Sequence, residues 1–156
     1  MNLVFENSSQ SLDEADFEYL SKIIGRNLPK DLKDIYSSLN GGEIENERVV
    51  FLSQLNDSEC GLDKFLHIRY KRYDDDSTIE DSYLFYAKKG FIPVDFLPFA
   101  IDGGGFPFCY DLNTGNIVFC NIEHFSPDFS YIEIISNSLS EVISNLMTRD
   151  EAYGDE

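Results

Sequence analysis

The segment from Leu97 to Phe125 constrains the fold more than any other part of this 156-residue chain. It contains short apolar runs rich in strand-forming residues, each separated from the next by turn-forming residues. The runs are Phe96 to Ile101, Phe106 to Leu112 and Ile117 to Ile122, and the separators are Asp102 to Gly105 and Asn113 to Asn116. This pattern predicts a meander of three antiparallel strands joined by tight turns.

The three glycines that follow Asp102 have two interpretations. A glycine-rich loop can hold phosphate, but such a loop leads from a strand into a helix N-terminus. Here the loop joins two predicted strands, and no GKS or GKT sequence follows it. We therefore expect a turn in which glycine permits a positive φ and Asp102 accepts backbone N–H groups. Asp111 is expected to brace the next turn in the same way.

Two helices are predicted near the N-terminus. Residues 12–24 place apolar side chains at helical spacing, Ser11 begins a capping box, and Gly25 is expected to end the helix. A second helix begins at Pro29, whose missing N–H costs nothing in a first turn, and it ends at the sequence Asn40-Gly41-Gly42.

The middle of the chain has weaker patterns. Glu43 to Leu52 is expected to form a strand, and Ser53 to Leu66 a loop with a short helix. Phe65 to Tyr73 alternates in a way that suits either a strand or a helix end. Tyr83 to Ala87 is a further apolar run whose type the pattern does not decide.

The C-terminal part completes the predicted fold. Tyr131 to Ile135 is a short apolar run, and Ser138 caps a last helix whose apolar stripe reaches Met147. The acidic residues 148–156 are expected to be frayed. We predict one α+β domain over residues 1–156, with a mostly antiparallel sheet on which two N-terminal helices and one C-terminal helix pack.

The charge of the chain limits its partners. With 29 acidic and 12 basic residues the formal net charge is −17. Such a surface repels nucleic acid and anionic membranes and attracts basic proteins, although acidic residues also serve plain solubility. No apolar run is long enough to span a bilayer, and the N-terminus lacks the pattern of a signal peptide. We expect a cytoplasmic protein that contacts neither nucleic acid nor membrane directly.

Cysteines and histidines give no strong sign of a metal or catalytic site. Cys60, Cys109, Cys120, His67 and His124 match no zinc-ligand spacing, so we expect no metal and no cofactor. The thiols are expected to be reduced and buried, with Cys109 beside Cys120 if the intervening turn has the right length. The sequence does not decide whether folding brings a cysteine and a histidine together as a catalytic pair. Carboxylates are too numerous to indicate a catalytic pair.

Two acidic clusters are the predicted partner-binding residues, because carboxylates attract Arg and Lys while Tyr supplies contact area. The first cluster is Asp74, Asp75, Asp76, Glu80 and Asp81, with Tyr73 as an aromatic anchor. The second is Glu43, Glu45 and Glu47, whose alternation would place them on one face of a strand. The alternative for the first cluster is a solvated loop without a partner.

Two segments resemble a known family. Leu28 to Gly42 (LPKDLKDIYSSLNGG) resembles the LPxDYKxFLxxxNGG segment of the SUKH superfamily, which comprises bacterial immunity proteins related to the yeast Smi/Knr cell-wall regulators. The start of the meander, Leu97 to Leu112, resembles the second hallmark of that superfamily. The chain departs from the pattern at Leu32, where an aromatic residue is common, and over Gln54 to Phe91.

The resemblance implies an α+β fold without catalytic residues and a role in neutralising a cognate bacterial toxin, often a nuclease. We therefore expect an immunity protein, monomeric or homodimeric, that covers the active or nucleic-acid-binding surface of a basic toxin domain. The alternative is a regulatory interaction module of the yeast type. An enzyme or metal protein that uses Cys109, Cys120 and His124 is the third hypothesis.

Overall fold

The chain forms an α+β domain built on an antiparallel sheet. The computed structural model describes residues 5–74 and 76–154, with the backbone alone at Phe5 and Glu45. The main sheet has the strand order β5-β6-β7-β8-β9. These strands are β5 (Lys64–Phe65), β6 (Phe96–Ile101), β7 (Pro107–Asp111), β8 (Ile117–Cys120) and β9 (Ile132–Ser136).

The predicted meander is confirmed as the centre of this sheet. Strands β6, β7 and β8 pair antiparallel, with Cys109 opposite Val118 in β8. The predicted turns are confirmed as well. Asp102 accepts hydrogen bonds from the N–H groups of Gly104 and Phe106, and Asp111 accepts one from the N–H of Asn113.

Two small antiparallel pairs flank the main sheet. Strand β1 (Phe5–Glu6) pairs with β2 (Glu43–Ile44), and β3 (Val50–Leu52) pairs with β4 (Glu59–Gly61). The β3–β4 hairpin corrects the prediction of a loop with a short helix in this region, because these strands are too short for an alternating pattern to mark them.

The single strand predicted over Glu43 to Leu52 is also wrong in detail. A short 3-10 turn, Glu45–Glu47, divides it. Asn46 and Glu47 have φ values of 63° and 55°, in the left-handed region, so the chain turns sharply there and cannot continue as a strand.

The helices are α1 (Glu14–Ile24), α2 (Lys30–Ser38), α3 (Ile79–Tyr86), α4 (Leu139–Ser144) and α5 (Arg149–Tyr153). Helix α1 is capped by Asp13 in a capping box with Asp16, two residues after the predicted cap at Ser11. Gly25 ends α1 in the left-handed conformation, as predicted. In α4, the predicted cap Ser138 accepts a hydrogen bond from the N–H of Glu141.

Residues 148–154 form a helix with its caps where a frayed tail is predicted. Thr148 and Glu151 form a capping box that starts α5. Arg48 pairs with Glu151 at 2.8 Å and holds this helix against the segment before β3. Within the described residues, no helix is long and apolar enough to cross a membrane.

Candidate protein-interaction surface

The first predicted acidic cluster lies in the loop before α3 and in its first turn. Tyr73 is 54% exposed, and Asp74 is exposed without a hydrogen bond or ion pair to any described residue. Asp81 is exposed and lies 3.6 Å from the ammonium of Lys71. Asp75 lies outside the described residues. Three members of the cluster are thus open to a partner.

Asp76, by contrast, belongs to the interior, which corrects its placement on the binding surface. It is 4% exposed, pairs with Lys64 at 2.5 Å and accepts hydrogen bonds from the N–H groups of Arg72 and Tyr73. The imidazole Nε2 of His67 lies 3.3 Å from the same carboxylate. Burial alone would raise the pKa of Asp76, but the Lys64 ammonium and these N–H groups hold it below 3.8. Asp76 therefore fixes the loop and does not reach a partner.

Glu80 is likewise structural, which corrects the same prediction. It is 3% exposed, and both carboxylate oxygens accept the N–H of Arg69, at 2.9 and 3.2 Å. Arg69 has a φ of 63°, and a residue other than glycine is strained there. The carboxylate of Glu80 therefore stabilises that backbone turn and is not accessible to solvent.

The second predicted cluster does not share a sheet face, because the 3-10 turn separates its members. Glu43 is half-buried in β2 and accepts a hydrogen bond from the side chain of Asn7. Glu47 is exposed at the end of the turn, and the side chain of Glu45 lies outside the described residues.

An aromatic surface that the sequence does not reveal lies beside α3. Its rings form a continuous series: Phe85 contacts Phe91 at 6.2 Å between centroids, Phe91 contacts Phe125 at 5.5 Å, and Phe125 contacts Tyr131 at 5.8 Å. Phe85 is 50% exposed and Phe125 38% exposed. We call Phe85, Phe91, Phe125 and Tyr131 the aromatic surface. The pairs 85 with 91 and 125 with 131 are each close in sequence, but the two pairs are far apart along the chain, so periodicity could not have found the group.

Helix α3 connects this aromatic surface to the acidic cluster. Asp81 and Phe85 are four residues apart on α3 and both are exposed, so they share one helix face. Leu84, 43% exposed, lies beside them. An acidic and an aromatic side chain therefore share one face of α3, where the ammonium of Lys89 lies 4.7 Å from the centre of the Phe85 ring.

A surface cavity of about 500 Å³ adjoins the aromatic surface at Tyr131. It lies between the end of the β3–β4 hairpin and the face of strands β7, β8 and β9. Exposed Glu59, His124 and Glu133 line it together with the buried Cys60. Burial and the charge of Glu133 raise the pKa of Cys60 to about 11, so the thiol is protonated at neutral pH and is a poor nucleophile.

The other cysteines and histidines are divided between the core and the surface. Cys109 and Cys120 are fully buried, with their sulfur atoms 3.8 Å apart, and burial raises the pKa of Cys109. His67 is buried against the carbonyl of Asn40, whereas His124 is exposed. Within residues 5–74 and 76–154, no three His, Cys, Asp or Glu side chains are grouped to hold a metal ion.

The residues of the sequence motif hold the scaffold together. Asn40 donates to the carbonyls of Gln10 and Ile68 and accepts the N–H of Ile68. A Cβ at Gly41 would lie 2.7 Å from the carbonyl oxygen of Leu66, so only glycine fits where α2 meets this segment. Tyr36 donates to the same carbonyl at 2.6 Å.

Comparison with known proteins identifies a family over most of the chain. The family model described as the SMI1 / KNR4 family (SUKH-1) matches residues 11–145. No curated protein matches the chain. The matched segment runs from the N-cap region of α1 to the end of α4 and contains both sequence motifs. Because it covers most of the chain, this protein belongs to the SMI1/KNR4 family (SUKH-1).

Proposed function

We propose that the chain is an immunity protein that binds a basic bacterial toxin domain, such as a nuclease, and covers its active or nucleic-acid-binding surface. The observation that carries the proposal is membership of the SUKH family together with a net charge of −17. A nuclease groove needs positive charge to hold phosphates, and an acidic protein is its natural electrostatic complement.

The proposed contact surface combines the exposed part of the acidic cluster with the aromatic surface. Tyr73, Asp74 and Asp81 supply an accessible ring and two carboxylates, and Phe85 extends the same face of α3. Glu43, Glu45, Glu47 and Asp75 remain proposed contributors to partner binding. Aromatic anchors surrounded by charge are the usual source of binding energy at protein interfaces.

Inhibition of this kind needs no chemistry from the chain. Long-range attraction speeds the encounter, so the association rate should fall as salt screens the charges, whereas burial of the aromatic rings should set the dissociation rate. The toxin is inactive as long as its groove is covered.

The second candidate function is a regulatory interaction module for proteins of the same cell. The family description, which includes the yeast-type SMI1/KNR4 proteins, favours it. The two functions differ in their partner: a toxin domain encoded beside this chain supports the first, and a housekeeping protein bound at the same face supports the second.

The test is co-expression with the protein encoded by the neighbouring gene, as the candidate toxin, followed by kinetic binding measurements with the purified proteins. We expect the wild-type chain to restore growth and to bind with an association rate that falls steeply with salt. No protection and no binding by the wild-type chain would refute the immunity role.

Asp81→Lys and Asp34→Lys form a matched pair for the contact surface. Each aspartate is an exposed helix residue paired with one lysine, at 3.6 Å for Asp81 and 2.8 Å for Asp34. Each substitution changes the net charge equally. We expect Asp81→Lys to lower the association rate about threefold more than Asp34→Lys. Equal effects would place the contact surface elsewhere.

A further inference from the structure

The cavity beside the aromatic surface has an aromatic base. Phe108 of β7 and Phe119 of β8 are directly opposite each other, so they lie on the same sheet face, and their ring centroids are 4.8 Å apart. The row continues into β9, where Glu133 is opposite Phe119. Both rings line the cavity, but Phe108 is buried beneath its surface and only the half-buried ring of Phe119 is accessible. A cation above an aromatic ring is attracted by the negative face of the ring.

Carboxylates surround this aromatic base without a cation of their own. Glu59, Asp102 and Glu133 line the cavity, and of the described residues no Lys or Arg does so. Glu59 accepts a hydrogen bond from the hydroxyl of Tyr153, and Glu133 accepts one from Ser58. Since these donors are neutral, the negative charge of the cavity is not balanced within the described part of the chain.

Two buried carboxylates of the protein, by contrast, are paired with cationic side chains. Asp76 pairs with Lys64, and Asp16 pairs with Arg69 at 3.1 Å. The partners of the cavity carboxylates are instead neutral hydroxyls for Glu59 and Glu133 and backbone N–H groups for Asp102. The negative charges of the cavity therefore attract a cation supplied from outside.

We propose that this cavity receives an arginine side chain from the protein partner. A guanidinium is planar, stacks on aromatic rings and carries five N–H donors, which suits the accessible ring of Phe119 and several carboxylates better than the point charge of lysine does. The cavity volume of about 500 Å³ is within the usual range for ligand sites. That the partner is a basic toxin rests on the function proposed above, whereas arginine recognition is testable without it.

The position of the cavity supports its use at an interface. Tyr131 belongs both to the cavity lining and to the aromatic surface, so an arginine in the cavity would be next to the rings that a partner would cover. A desolvated arginine beside aromatic residues is a frequent hot spot in protein complexes.

The test uses the peptide acetyl-Gly-Arg-Gly-amide and its uncharged analogue with citrulline in place of arginine, titrated into the full chain and followed by amide chemical shifts. We expect the arginine peptide to shift amides of residues 58–61, 119–121 and 131–133, and the citrulline peptide to shift them far less. Equal binding of the two peptides, or shifts scattered over the whole acidic surface, would overturn the proposal.

Glu133→Gln and Glu123→Gln are matched variants for this titration. Both glutamates are exposed and each change removes one charge, but only Glu133 lines the cavity. We expect Glu133→Gln to weaken arginine-peptide binding about fivefold and Glu123→Gln to change it less than about twofold. Phe119→Leu keeps an apolar residue while removing a ring, and should also weaken binding. Unchanged binding by Glu133→Gln and Phe119→Leu would overturn the proposal.

The same variants separate this inference from the proposed function. If the toxin binds wild type, Glu133→Gln and Phe119→Leu equally well, the immunity role stands and the cavity is not the arginine site. If the peptide titration gives the expected result but no toxin is bound or neutralised, the assignment of the cavity as an arginine site stands and the immunity role fails.

Discussion

Replacement of Asp76 by asparagine is expected to destabilise the fold although Asp76 lies in a segment predicted to bind a partner. Its side chain is 3% exposed and that of Lys64 is 26% exposed. Removing one member of a fully buried pair costs about 3–5 kcal/mol. Lys64 regains water more easily than a fully buried lysine, and the asparagine oxygen still accepts an N–H. We therefore expect a loss of about 2–3 kcal/mol in the free energy of unfolding.

Asp74→Asn is the matched control for this experiment. Asp74 is in the same loop and loses the same charge, but it is exposed and has no bond to a described residue. Its unfolding free energy should change by less than about 0.5 kcal/mol. Urea denaturation followed by circular dichroism measures both variants. The corresponding fall in melting temperature for Asp76→Asn is about 4–12 °C.

The pH dependence of the difference in unfolding free energy between wild type and Asp76→Asn provides a second check. The pKa of Asp76 in the folded state is below the ordinary 3.8, so its stabilising contribution is complete above the unfolded-state value and is lost as the pH falls through the folded-state value. The gap between wild type and Asp76→Asn should therefore be full at pH 7 and shrink below about pH 4. A gap no larger than that of Asp74→Asn at pH 7 would refute the assignment of Asp76 to the interior.

Three further outcomes are expected. Gly42→Ala should destabilise the chain by about 2 kcal/mol or more, because Gly42 has a φ of 104° and a Cβ there would overlap the carbonyl oxygen of Glu6; an unchanged urea midpoint would contradict this. Ser138→Ala should lower the free energy of unfolding by about 1 kcal/mol through loss of the α4 cap, measured in the same assay, and Ser140→Ala on the exposed side of α4 is its control. The three thiols should react with a disulfide reagent only as fast as the chain opens, since all are buried and the pKa of Cys60 is raised to about 11; rapid labelling of the native protein at pH 7 would show that the cavity thiol is accessible and ionised.

The parts of the fold that the sequence predicted well are those with a strong local signal. The meander is marked by apolar runs and by turn residues whose side chains bond within the turn, as Asp102 does with Gly104. Gly25 and Ser138 mark a helix end and a helix start through interactions within a few residues. Both partners of such a contact lie within a few residues of each other in the sequence, so a local pattern reveals them.

The parts predicted poorly depend on distant partners. Strand β2 has two residues, and its pairing with β1 joins segments far apart in sequence. The 3-10 turn after it depends on left-handed residues other than glycine, Asn46 and Glu47, for which there is no reliable signal. In α5, the ion pair of Arg48 with Glu151 spans most of the chain.

The same distinction applies to the functional surface. The sequence by itself determined the scaffold, the excess of negative charge and the family, because composition, turn chemistry and motif spacing are properties of the chain. Only the tertiary structure decided which carboxylates face solvent. Asp74 and Asp76 are two residues apart, yet one is exposed and the other is held by Lys64 from a different element, since burial depends on what packs over a residue. For the same reason, the aromatic surface and the acidic cavity exist only once Phe85, Phe125 and Glu133 have been brought together by the fold.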